Sequence, residues 1–129
     1  MTTIENNVRI GKFMGIDYAQ PAENKIVYYR NDGQLIHGEE NPTELKYHIS
    51  WDWLMPVVDK IEAMGLHFNI KTNESWIDWL GTENEHLELL QKYDEATFEV
   101  NYEATKIESV YKTVLQFVNF YNENKPQSK

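Results

Sequence analysis

Toward the C-terminal end of the chain the apolar positions recur at helical spacing. Ile107, Val110, Tyr111, Val114, Phe117, Val118 and Tyr121 fall at i, i+3, i+4, i+7, i+10, i+11 and i+14. That places them on one stripe about four turns long. Lys106, Glu108, Ser109, Lys112, Thr113, Gln116 and Asn119 take the other side. Thr105 with Glu108 three residues on has the form of a capping box, and Glu108 with Lys112 makes a favourable i, i+4 pair. The pattern predicts a long amphipathic helix that closes the fold.

Upstream the periods are shorter. Residues Asn7 to Met14 predict a short helix, capped by Asn6 or Asn7, anchored by Val8, Phe13 and Met14, and stopped by Gly15; Gly11 weakens it. Residues 16–24, around Gln20-Pro21, read as a loop. Lys25 to Arg30 is β-branched and aromatic. Asn31-Asp32-Gly33 follows, then Gln34 to His37, and an Asp-Gly step between two such runs predicts a hairpin. A second helix is predicted from Ser50 as N-cap to Gly65 as C-cap, with Trp53 or Leu54, Val57, Val58, Ile61 and Met64 in period. Pro56 conflicts with it and implies a kink or a separate first turn. Leu66 to Lys71 alternates, with Leu66, Phe68 and Ile70 on one face of a strand. Lys71-Thr72-Asn73 reads as a turn. Ser75 to Leu80 fits a strand or a helical turn. Thr82 and Glu85 suggest a capping box for a short helix carrying Leu87, Leu90 and Tyr93. Ala96 to Val100 alternates again, with Phe98 and Val100 together. The order is close to α-β-β-α-β-(β or turn)-α-β-α. It lacks regular βαβ spacing, so it predicts an α+β fold: a small antiparallel sheet packed by two or three helices, the last of them amphipathic.

Composition bounds the remainder. A chain of 129 residues with 41% hydrophobic and 26% charged residues is about one globular domain. We expect a single domain over 1–129, with Asn124 to Lys129 as a frayed tail. There is no cysteine, which excludes disulfides, thiolate metal sites and cysteine nucleophiles and fits a reducing compartment. The N-terminal residues lack a basic segment followed by an apolar one, and no apolar run could span a bilayer, so a cytoplasmic location is expected. The net charge of −9 is uneven. Between Glu74 and Glu103 nine acids face one base, Lys92, for a local charge of −8. The basic footprint of a phosphate-binding surface is missing, which argues against direct nucleic-acid binding and against adsorption to anionic membranes.

Two segments are distinctive as text. One runs from Lys46 to Glu62 and contains Tyr47-His48-Ile49-Ser50-Trp51-Asp52-Trp53-Leu54-Met55-Pro56-Val57-Val58. The other runs from Lys106 to Asn122 and contains Lys106-Ile107-Glu108-Ser109-Val110-Tyr111-Lys112. With Phe13-Met14-Gly15 they resemble small proteins of Bacteroidetes phages and prophages. The resemblance covers about a third of the chain and leaves out Leu66 to Asn101. It implies a phage or prophage context and assigns no catalytic residue.

The densest candidate site is Tyr47, His48, Trp51, Asp52 and Trp53. Trp and Tyr offer rigid contact area, and a His/Asp pair can orient a ligand. The same residues equally describe one core Trp, one half-exposed Trp and a helix start. The four histidines, His37, His48, His67 and His86, show no i, i+3 or i+4 pairing, so no metal site is expected. No nucleophile elbow, phosphate loop, dinucleotide fingerprint or calcium loop is present, and no cofactor is implied. Three readings follow. The leading one is a non-enzymatic binding or interaction protein of phage type, acting on a protein partner or as a small homo-oligomer. The second is an acidic, DNA-mimicking inhibitor of a host protein. The third is a small-molecule-binding or enzymatic domain built around His48, Trp51 and Asp52.

Overall fold

A computed structural model describes residues 3–22, 25–30 and 45–124. The fold is α+β, and the described residues form four helices, a two-stranded hairpin and a three-stranded antiparallel sheet. The elements are α1 (Thr3–Phe13), β1 (Ile16–Ala22), β2 (Lys25–Arg30), α2 (Trp51–Ala63), β3 (Leu66–Ile70), β4 (Glu74–Trp79), α3 (Leu87–Glu95), β5 (Asn101–Tyr102) and α4 (Lys106–Asn124). In the sheet β4 lies between β3 and β5.

The first helix begins at Thr3, earlier than the capping pattern predicts. Asn7 is therefore not a cap. It lies inside α1 and is buried, 1% exposed. Gly15 ends the helix as expected, at a positive φ of 87°, with its N–H donating to the Lys12 carbonyl at 3.0 Å. Residues 16–22 correct the loop reading, because β1 pairs with β2 in an antiparallel ladder. Ile16 to Ala19 pair in register with Arg30 to Val27, and the register then shifts by one residue before Ala22 meets Lys25. Gln20 and Pro21 occupy that irregularity, where a residue without an N–H leaves no ladder bond unmade. The expected turn at Asn31-Asp32-Gly33 and the strand Gln34 to His37 lie outside the described residues.

Helix α2 follows Ser50, whose extended backbone (φ −130°, ψ 123°) marks the boundary without a side-chain cap. The Leu54 N–H donates to the Ser50 carbonyl at 3.0 Å. The helix runs unbroken through Pro56, with no separate first turn. The carbonyl deprived of its donor is that of exposed Asp52, which water can reach, and this limits the cost. Leu54, Val57, Val58 and Ile61 are buried, as their period predicts. Gly65 then adopts a φ of +109°, which only glycine takes without strain.

Ser75 to Leu80 resolves as strand, in β4. Its pairing with β3 sets Leu66 opposite Trp79 and Phe68 opposite Ile77. Leu66, Phe68, Ser75 and Ile77 are buried. Two other expectations fail. Helix α3 starts after His86 and takes no capping bond from Thr82; Asn84 Oδ1 instead accepts the His86 N–H at 2.7 Å. The run from Ala96 to Val100 forms no strand. Thr97 sits at a φ of 49° just beyond α3, a left-handed turn that leads the chain off the strand path. Only Asn101 and Tyr102 join β4.

Helix α4 closes the core. Val110, Val114, Phe117 and Val118 are fully buried, and Ile107, Tyr111 and Tyr121 pack partly against them. The Thr105 capping interaction forms, with the Glu108 N–H donating to Thr105 Oγ1 at 3.2 Å and the hydroxyl donating to the Glu108 carboxylate at 2.7 Å. Lys112 pairs with Glu103 at 2.9 Å, not with Glu108. The buried surface is also wider than the apolar stripe. Ser109 and Thr113 are at 0% exposure, because the sheet meets the helix on that flank through a hydrogen-bonded chain. Asn101 Nδ2 donates to Thr113 Oγ1 at 2.9 Å, Thr113 and Ser75 hydroxyls meet at 2.6 Å, and Ser75 Oγ donates to the Ser109 carbonyl at 2.8 Å. Every member has a partner, so the polar flank is buried without orphaned groups.

Candidate functional site

The five residues singled out from sequence divide between core and surface. Tyr47 is buried, and its ring meets Trp53 edge to face at 5.3 Å. Trp53 packs partly against the core. Trp51 and Asp52 are exposed at the start of α2. His48 belongs to a polar knot centred on Asn7. Asn7 Nδ2 donates to the Leu45 carbonyl at 2.8 Å and meets His48 Nδ1 at 2.9 Å, while the Tyr111 hydroxyl donates to Asn7 Oδ1 at 3.0 Å. The Leu45 carbonyl can only accept, which fixes the Asn7 amide orientation; His48 Nδ1 is then the acceptor and its ring proton is on Nε2. Burial pushes the Tyr111 phenol up to about 12. The knot ties α1, the turn before α2 and α4 together, which is structural work.

A more open arrangement lies on the outer face of the sheet. Side chains alternate across β4, so Ser75 and Ile77 point inward while Glu74, Trp76 and Asp78 point out. Trp76 and Trp79 therefore lie on opposite faces. Trp79 packs partly on the core, and Trp76 does not. On β3 the outward residues are His67 and Asn69, paired with Asp78 and Trp76. Tyr102 of β5, opposite Glu74, is 64% exposed.

These groups hold one another in place. Asp78 Oδ2 accepts from the Trp76 indole N–H at 3.0 Å and from Asn69 Nδ2 at 3.0 Å. The indole is thus oriented by a carboxylate at the surface. Lys71, in the β3–β4 turn, places its Nζ 5.5 Å from the Trp76 ring centroid and 3.9 Å from the Glu74 carboxylate. A hydrogen bond to Glu74 and its nearby negative charge hold the Tyr102 phenol above its usual range. The face carries the Glu74 and Asp78 carboxylates, the Trp76 and Tyr102 rings, and the Lys71 cation, which already lies over the Trp76 ring. Sequence reasoning marked the acids from Glu74 to Glu103 but did not bring Asn69, Lys71 and Tyr102 to Trp76, since only the strand register places them together.

The neighbouring sheet edge carries one side-chain contact. The Phe68 N–H, which faces away from β4, donates to the Glu62 carboxylate of α2 at 3.3 Å. A side chain there blunts strand addition. Among the described residues no group of three or more His, Asp or Glu side chains is placed to hold a metal ion, and no helix is long and apolar enough to cross a membrane. No protein-family model, curated protein or solved structure matches the chain.

Proposed function

We propose that this protein is a non-enzymatic binding module of phage type that engages a basic segment of a protein partner through the outer face of its three-stranded sheet. The observation that carries the reading is the position of Lys71. The chain's own ammonium lies over Trp76 and beside Glu74, where a lysine or arginine of a partner would be recognised by the same ring and carboxylate. The local charge of −8 between Glu74 and Glu103 would steer such a partner toward the face. Several of these acids are already engaged inside the molecule: Glu74 with Lys71, Glu88 with Lys92, Glu103 with Lys112, and Asp78 with Asn69 and Trp76. That supports a mixed aromatic and acidic contact surface over a mimic of evenly spaced DNA phosphates.

The test is an NMR titration of the 15N-labelled protein with a short Arg-Gly-Arg peptide and its Glu-Gly-Glu counterpart. The arginine peptide should shift the Trp76 indole and the amides of Asn69 and Tyr102. Lys71→Ala should tighten binding a few-fold, because a cation–π contact at an exposed site is worth about 0.5–1 kcal/mol and the internal competitor is gone. Trp76→Ala should abolish the localised shifts. Shifts spread evenly over all the acids, or an unchanged response in Trp76→Ala, would refute the reading.

A further inference from the structure

A cavity of about 610 Å3 opens between α1 and the C-terminal end of α4, within the size range of small-ligand sites. Its walls depart from the character of the chain. In a protein of net charge −9, two cations, Arg9 and Lys12, line one side from adjacent turns of the same face of α1. Tyr121 adds aromatic surface, and its ring meets that of buried Phe13 edge to face at 5.3 Å. A third cation stands nearby. Lys60 donates to the Phe13 carbonyl, at the negative end of α1, and its Nζ is 4.6 Å from the Phe13 ring centroid. Among the described residues the one acid in the lining is Glu123, which is exposed.

Arg9 is the telling residue. It is half-buried, and its guanidinium donates through Nη1 to Asn119 Oδ1 at 2.9 Å. That bond fixes the fork. No carboxylate among the described residues pairs with it, although the chain holds 21 acids. A partly desolvated guanidinium held in place beside aromatic surface, and paired only with an amide, is complementary to a planar anion.

We propose that this cavity is a binding site for a small organic carboxylate with a flat apolar body. The carboxylate would take the remaining guanidinium donors of Arg9 in a bidentate pair. The apolar body would lie against Tyr121. The site is separate from the sheet face and does not depend on the partner reading.

The test uses sodium 1-naphthoate, with neutral 1-naphthamide as the control, followed by amide shifts and by calorimetry on the full chain. Naphthoate should bind with a dissociation constant of about 1 mM, as expected of a fragment this size. It should shift amides at 9–13 and 119–123, and the amide control should bind about tenfold more weakly. Arg9→Gln should reduce affinity about tenfold, and Arg9→Lys, which keeps the charge and loses the fork, should reduce it less. Because Arg9 also holds Asn119, urea midpoints of both variants are measured alongside. Should Arg9→Gln unfold, Arg9→Lys and the naphthamide comparison decide. No binding at about 10 mM, equal binding of acid and amide, shifts mapping elsewhere, or wild-type affinity in the folded Arg9 variants would overturn the proposal.

Discussion

Replacing Asn7 with leucine tests the packing of this fold most directly. The two side chains have the same number of heavy atoms, branched at the same carbon, so the change removes polar atoms without opening a cavity. Asn7 is 1% exposed and makes three contacts, to the Leu45 carbonyl, His48 Nδ1 and the Tyr111 hydroxyl, at 2.8, 2.9 and 3.0 Å. Each lost bond is worth about 1 kcal/mol. His48 and Tyr111 are half-buried and can turn toward water, which softens their loss. Leu45 is 2% exposed, and its carbonyl stays buried without a donor, at a cost of about 1–3 kcal/mol. Better apolar contact from leucine offsets part of this. The expected destabilisation is about 3 kcal/mol, read as a fall in the urea midpoint at unchanged m-value. Tyr111→Phe should cost about 1 kcal/mol alone and almost nothing in the Asn7→Leu background, a coupling of about 1 kcal/mol. If Asn7→Leu cost under about 0.5 kcal/mol, or if the two changes were additive within about 0.3 kcal/mol, the knot would not be holding α1 to α4 and the reasoning fails.

Two glycines should respond in opposite directions. A Cβ on Gly11, inside α1, would meet Leu45 Cδ1 at 3.7 Å and Ile16 Cβ at 3.8 Å, ordinary contact distances, so Gly11→Ala should stabilise by about 0.5–1 kcal/mol in urea unfolding. Gly65→Ala should destabilise by about 1–3 kcal/mol: the new Cβ would meet Asn84 Nδ2 at 2.8 Å at a φ of +109°, and Asn84 would be pushed off its bond to the Met64 carbonyl. Alkaline pH gives a third check. The Tyr111 phenol is raised to about 12 from 10.0 by burial, and Tyr93 is raised by burial and then by the Asp78 carboxylate. A raised acid favours its neutral form in the fold, so this stability is complete below about pH 10 and is lost as pH climbs through about 12. Tyr111→Phe should flatten the fall in urea midpoint between about pH 10 and 12; an unchanged slope would show that Tyr111 titrates as freely in the folded chain as in the unfolded one.

Much of the scaffold was readable from local pattern. The apolar stripe of α4, the inward Leu66 and Phe68, and the glycine stops at 15 and 65 each follow from one residue type repeated at one period, or from one backbone angle that only glycine accepts. What escaped were polar residues turned inward. Asn7 looked like a cap, and Ser109 and Thr113 like solvent-facing positions, because a small polar side chain is silent about its partner. Their partners come from distant positions, Tyr111 for Asn7 and Ser75 for Ser109 and Thr113, and no local period encodes them. The ladder of β1 with β2 was hidden in the same way by Gln20-Pro21, whose irregularity is tolerated only once the partner strand is known.

The proposed contact face turned on a single binary choice. Trp76 and Trp79 are three residues apart. In a helix that spacing would put both indoles on one face, and both would serve the core or both the solvent. In a strand it separates them. The register of β3 with β4 makes that choice: Phe68 opposite Ile77 commits Ile77 and Trp79 to the inside and sends Trp76 outward to Asp78 and Asn69. The acidic run through this region gains its meaning from the same alternation. Charge count alone cannot distinguish a solvated helix from an organised contact surface. Two carboxylates, at Glu74 and Asp78, flanking an outward indole on one pleated face can orient that ring and hold a cation above it, as Lys71 already shows.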